Sequence, residues 1–168
     1  IATAARALKP DIQIVGVQTE RFPAMVNAIL GTTHPQGTTT IAEGTLQIGA
    51  GGTSGTLGTG NVAIASGDAL AFNRSDAISI AGAISGSGGQ VRQIGTGTTT
   101  LEANNSYTGT TVVQTGTLKA QNDDALGAVG PGNGTVVEAG AALVLGREGN
   151  DALHFFAEDV TLDGTLSS

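Results

Sequence analysis

The groups in this chain that could carry chemistry are few and far apart. His34 and His154 are the two histidines, Lys9 and Lys119 the two lysines, and cysteine is absent. A serine or threonine nucleophile needs a base held within hydrogen-bond reach. His34 lies in THPQG, a loop-forming stretch with no nucleophile motif near it. His154, in DALHFF, reads as a strand-edge residue packed by Phe155 and Phe156. Two histidines so far apart, without cysteine, do not make a zinc set. QNDDAL at 121–126 and GREGND at 146–151 are oxygen-rich and could in principle ligate calcium. They lack the GGxGxDx repeat of calcium-binding rolls, and GSGGQ at 86–90 has no Asp where that pattern needs one. Both read as solvated turns. GAGGTSG at 49–55 and GTGTTT at 95–100 are Gly-rich, but no lysine follows to reach a phosphate. NRS, NNS and NGT have the form of glycosylation sequons and carry no catalytic chemistry. No catalytic residue, metal ligand or cofactor site is therefore expected.

The elements around these residues must be built from small side chains. Of 168 residues 27 are Gly, while aromatics are 3% and charged residues 12%. Average usage is about 7% Gly, so an ordinary globular core cannot be filled from this composition. Order must come from extensive backbone hydrogen bonding and stacked β-branched residues. Net charge is −7. Residues 1–44 are neutral overall, and 45–168 carry the whole excess. Such a surface repels phosphate and excludes nucleic acid as a partner. No apolar run approaches the roughly 20 residues of a membrane-spanning helix. IATAARALKPD, at the start, lacks the long apolar core and cleavage site of a signal peptide.

Residues 1–36 differ from the rest. Ile1, Ala4, Ala5 and Leu8 recur at helical spacing, and Pro10 with Asp11 ends that pattern. DIQIVGVQ is a near-continuous apolar run, as in a strand covered on both faces. FPAMVNAIL follows as a second helix, with Pro23 in its first turn and Gly31 after its end. The α-β-α stretch IATAARALKPDIQIVGVQTERFPAMVNAI resembles the end of the catalytic domain of the threonine dehydratases, which are fold-type II pyridoxal-phosphate enzymes. The resemblance extends through TTTIAEG to residue 44. It implies no activity here, because the family's phosphate loop and Schiff-base lysine are not in this chain. Lys9 matches a surface position and Lys119 lies outside the match. Residues 37–44 read as a seam, and 45–168 as a separate unit. The 1–30 segment is expected to cap one end of that unit.

GTTTIAEGTL from Gly37 aligns with GTTVVQTGTL from Gly109, an offset of 72 residues. Looser matches suggest a unit of roughly 70–80 residues. Within it TLQI, NVAI, DALAF, AISI, GTTTL, GTTVV, GTLKA, GTVV and AALVL alternate apolar and small polar residues, with Gly, Asn, Asp and Ser between them. A sandwich could be written this way. The shortness of the runs, their small aliphatics and their recurrence favour a mainly β fold, a β-solenoid of stacked rungs. GTGTTTLEANNSYTGTTVVQTGTLKA, residues 95–120, resembles the passenger-associated transport repeat of autotransporters. Asn105, Tyr107, Gly109, Thr111, Val113, Gly116, Thr117 and Leu118 carry the resemblance position by position. It implies a right-handed parallel β-helix over 45–168, with Tyr107 covering the outside or end of a rung beside Asn105. It also implies a secreted or outer-membrane surface location, and a non-enzymatic stalk or adhesin contacting a host or cell-surface ligand. An uncovered C-terminal rung at GTLSS would be a point of self-association. The alternative is an inactive dehydratase remnant, or a fusion product without selected function.

Overall fold

The computed structural model describes residues 38–146 and 159–167. All nine strands expected from the alternation are present. The described chain contains β1 (Thr39–Ile41), β2 (Thr45–Ile48), β3 (Val62–Ile64), β4 (Ala69–Phe72), β5 (Ala77–Ile80), β6 (Ile84–Ser85) and β7 (Gln90–Gln93). It continues with β8 (Thr98–Leu101), β9 (Thr111–Val113), β10 (Thr117–Ala120), β11 (Thr135–Val137), β12 (Ala142–Leu145), β13 (Val160–Leu162) and β14 (Thr165–Ser167). No helix occurs among the described residues. The expected N-terminal α-β-α segment and its capping role lie outside them, as do His34, His154 and Lys9.

Every strand pairing is parallel. The strands form three sheets, each one face of a solenoid of about five turns. The first face holds β1-β3-β6, the second β2-β4-β7-β9-β11-β13, and the third β5-β8-β10-β12-β14. Paired residues are separated along the chain by 19 positions (Thr98 to Thr117) to 25 positions (Thr135 to Val160). This rung is the true repeat. The 72-residue offset equals three turns plus one face: β1 and β2 lie on the first and second faces, whereas β9 and β10 lie on the second and third. The same strand–corner–strand module is used around different corners of the coil. Thr39–Ile41, within the expected seam, is paired with Val62–Ile64.

Parallel registration places like residues over like, and this builds the core. Leu46, Leu70, Val91, Thr111, Thr135 and Val160 form one inward column of the second face. Ile48, Phe72, Gln93, Val113, Val137 and Leu162 form the other. Ile78, Thr99, Leu118, Leu143 and Leu166 line the third face. Strands about 4.8 Å apart keep these side chains in contact along each column. Small aliphatics suffice because the bore is narrow, which is how a Gly-rich, aromatic-poor chain buries a continuous core.

Candidate functional site

The first face ends as a regular sheet at β6, and the motif residues take over from there. Tyr107 follows on as backbone: the Ser106 N–H donates to the Ile84 carbonyl at 2.8 Å and the Thr108 N–H to that of Gly86 at 2.9 Å. The Ala128 N–H donates to the Tyr107 carbonyl at 3.0 Å in the turn above. Asn105 supplies what the missing strand would have supplied. Its Oδ1 accepts from the Ile84 N–H at 2.8 Å, and its Nδ2 donates to the Ala125 carbonyl at 2.6 Å. One buried amide thus joins three consecutive turns. Asn61 does a similar job below, where its Oδ1 accepts from the Ala83 N–H at 3.0 Å.

Tyr107 is not on the outside or end of a rung. It is fully buried and is the largest buried side chain described. The ring fills bore width left where the strand ends, and the hydroxyl is within 2.6 Å of Thr111 Oγ1. Thr111 Oγ1 also lies 3.4 Å from the Leu126 carbonyl. A buried phenol needs such a partner, and an inward Thr two positions after Gly109 provides it. Gly109 is required by proximity: a Cβ there would stand 2.2 Å from the Gly89 carbonyl oxygen. Gly116 is required by conformation as well, with φ +66 and a Cβ position 2.4 Å from the Gly95 oxygen. Val113 and Leu118 are inward and buried, and Thr117 registers against Thr98 and Ala142. The eight residues therefore run in succession along one turn of the coil, from the first-face segment before β9, through β9 and the corner at Gly116, to the start of β10.

Lys119 stands on the outer side of β10, in register between Thr100 and Val144. Asp123 and Asp124 are exposed in the turn after β10. Among the described residues no three His, Cys, Asp or Glu side chains gather as a metal set. The outer positions of the third face are Ala77, Ser79, Thr98, Thr100, Thr117, Lys119, Ala142, Val144, Thr165 and Ser167, a surface of hydroxyls and methyls with one charge.

Two structural side chains were not visible as such in the sequence. Arg74 is 7% exposed; its Nε donates to Asp76 Oδ1 at 2.8 Å, its Nη2 to Oδ2 at 2.7 Å, and its Nη1 to the Gly55 carbonyl. It ties the Gly-rich stretch after β2 to the corner between β4 and β5. The Arg74 hydrogen bond holds the Asp76 carboxyl below its ordinary range. Asp68 accepts from the Gly44 N–H at 2.7 Å and closes the corner between β1 and β2. The signal for both was an isolated charge inside a Gly/Ser turn, which reads more simply as solvated.

Comparison with protein families falls on this same module. Residues 30–48 and 91–120 match the passenger-associated transport repeat. The second stretch runs from β7 through β10 and contains all eight motif residues; the first contains β1 and β2. The positive-φ glycines Gly44 and Gly116 hold equivalent places in the two copies. Searches of curated proteins and of solved structures returned no match. No comparison supports the threonine dehydratase resemblance, and the repeat match at 30–48 overlaps the region where it was expected.

Proposed function

We propose that this chain is a non-enzymatic structural segment of an exported, autotransporter-like passenger. It acts as a rod that holds binding surfaces away from the cell. The observation that carries this reading is the coincidence of the transport-repeat match with the corner modules of a parallel solenoid. The repeat family supports a secreted or cell-surface location. A rod suits the physics: each turn contacts only its neighbours, so length grows without a larger core. The outer third face, uncharged but for Lys119, is the surface we assign to contact with a host or cell-surface ligand. No catalytic step belongs to the segment in this reading.

The test uses the full-length protein in the cell that makes it. An epitope inserted in the exposed turn at Pro131–Gly132 is followed while intact cells are treated with protease. Loss of the epitope before lysis is the expected result. Protection until the cells are broken overturns the proposal.

A further inference from the structure

The bore is apolar in the second turn, and in the third two of its inward positions are polar. Gln93 replaces an aliphatic residue between Phe72 and Val113, and Thr99 does so between Ile78 and Leu118. Both belong to the same turn, on either side of the corner between β7 and β8. Gln93 is fully buried and Thr99 is 1% exposed. The amide nitrogen of Gln93 is satisfied by the corner itself, through the Gly95 carbonyl at 2.7 Å and that of Gly97 at 3.3 Å. Its Oε1 has no protein partner, and neither has Thr99 Oγ1. Nearby in the bore the Tyr107 hydroxyl and Thr111 Oγ1 pair with each other, and the remaining buried side-chain atom without a protein partner among the described residues, Arg92 Nε, belongs to the outer side of β7.

These two atoms are chemically complementary, since a threonine hydroxyl can donate to an amide oxygen. They nevertheless do not bond to each other. The Gln93 head group already lies against Gly97, two residues before Thr99. Buried polar atoms in folded proteins are almost always satisfied, by protein or by ordered water. An apolar void stays dry, whereas a site with two or more polar partners retains water. A molecule that joins Gln93 Oε1 to Thr99 Oγ1 must donate to the first and donate to or accept from the second.

We propose that the corner between β7 and β8 encloses a binding site for one water molecule, held by Gln93 Oε1 and Thr99 Oγ1. The water completes the polar turn at the start of the transport-repeat match. It fixes the Gln93 amide in the orientation that clamps Gly95 and Gly97, and so sets the angle at which β8 leaves β7. The inference is independent of the protein's location or partners.

Thr99→Val tests it, because the replacement keeps the shape and removes only the hydroxyl. If the water is present, the substitution strips it of a partner and strands Gln93 Oε1, so the melting temperature falls. If Thr99 Oγ1 is simply unmet, removing it relieves a cost and the melting temperature rises. A rise, or no change, overturns the proposal. A crystal structure resolving ordered solvent gives a second readout. A density peak at roughly 2.6–3.2 Å from both atoms is expected. A direct bond between the two side chains, or no peak, overturns the site.

Discussion

Asn105 shows how one side chain can stand in for a strand. It satisfies an N–H in the turn below and a carbonyl in the turn above, and both belong to buried backbone. Truncation leaves these groups unmet, and each buried orphan costs on the order of 1–3 kcal/mol. Asn105→Ala is expected to destabilise by more than about 2 kcal/mol in denaturant unfolding, and Asn105→Asp to recover little, because a carboxylate cannot donate to Ala125. Tyr107 separates packing from hydrogen bonding. Tyr107→Phe should cost about 1 kcal/mol through the lost Thr111 contact, whereas Tyr107→Ala should cost about 3–5 kcal/mol through the cavity. Equal losses would show that the ring fills no bore volume. Asp76 supplies a pH signature. Its carboxyl titrates below the ordinary range because Arg74 donates to it. A depressed acid stabilises the fold above its unfolded-state value, near pH 4, and that contribution disappears as pH falls through the lower folded-state value. The stability gap between the wild-type chain and Asp76→Asn should therefore be constant from pH 5 to 7 and close below about pH 4. A gap unchanged at pH 3 would dissociate Asp76 from Arg74.

At the level of elements, the corner decides more than the strands do. Gly116 combines φ +66 with the carbonyls of Gly95 and Gly97 packed against the place a Cβ would take. Gly116→Ala is thus expected to cost more than about 1 kcal/mol, as does any side chain forced into this conformation. The same change at Gly52, which has open space around it and no positive φ, should be close to neutral. Thermal melts of the two variants make the comparison. Corners of this kind also explain which elements could be read from sequence. TLQI, AISI and GTTVV alternate polar or small residues with aliphatic ones and meet a Gly within three positions of their ends, so their strand character is plain. β7 reads QVRQ, where the long polar residues Gln90, Arg92 and Gln93 hide the pattern, and Gln93 is in fact inward. β6 has two residues and is held by Asn61 and Asn105, so no periodicity could announce it. The outside or rung-end position of Tyr107 was implied by the repeat resemblance alone, and no local pattern in NNSYTG says which way the ring points. Only the end of the first sheet at β6 creates the interior space it fills. Arg74 and Asp76 were illegible for a related reason, since a local ion pair between residues two apart depends on the fold of a distant Gly-rich stretch.

Over the whole molecule, stability is distributed along one dimension. Each turn is bonded to the turn before and after it and to no other. Opening free energy should then depend on a turn's place in the stack. β8, β9 and β10 have neighbours on both sides, and Leu101, Val113 and Leu118 within them are fully buried. β13 and β14 each have one neighbour among the described strands, and their inward residues Leu162 and Leu166 are 44% and 45% exposed. Less apolar area is therefore removed from water in that last turn, and at about 25 cal/mol per Å² it contributes correspondingly less. Hydrogen exchange followed by mass spectrometry should show amides of 160–167 exchanging first and amides of 98–120 last, with protection falling turn by turn between them. Leu118→Ala should lower protection throughout its own turn and in the adjacent turns at β8 and β12. It should leave β1 and β3, three and two turns away around the coil, nearly unchanged until global unfolding. Uniform loss of protection across all three faces would instead mean that the solenoid opens as a single cooperative unit, and the nearest-neighbour account of its stability would fail.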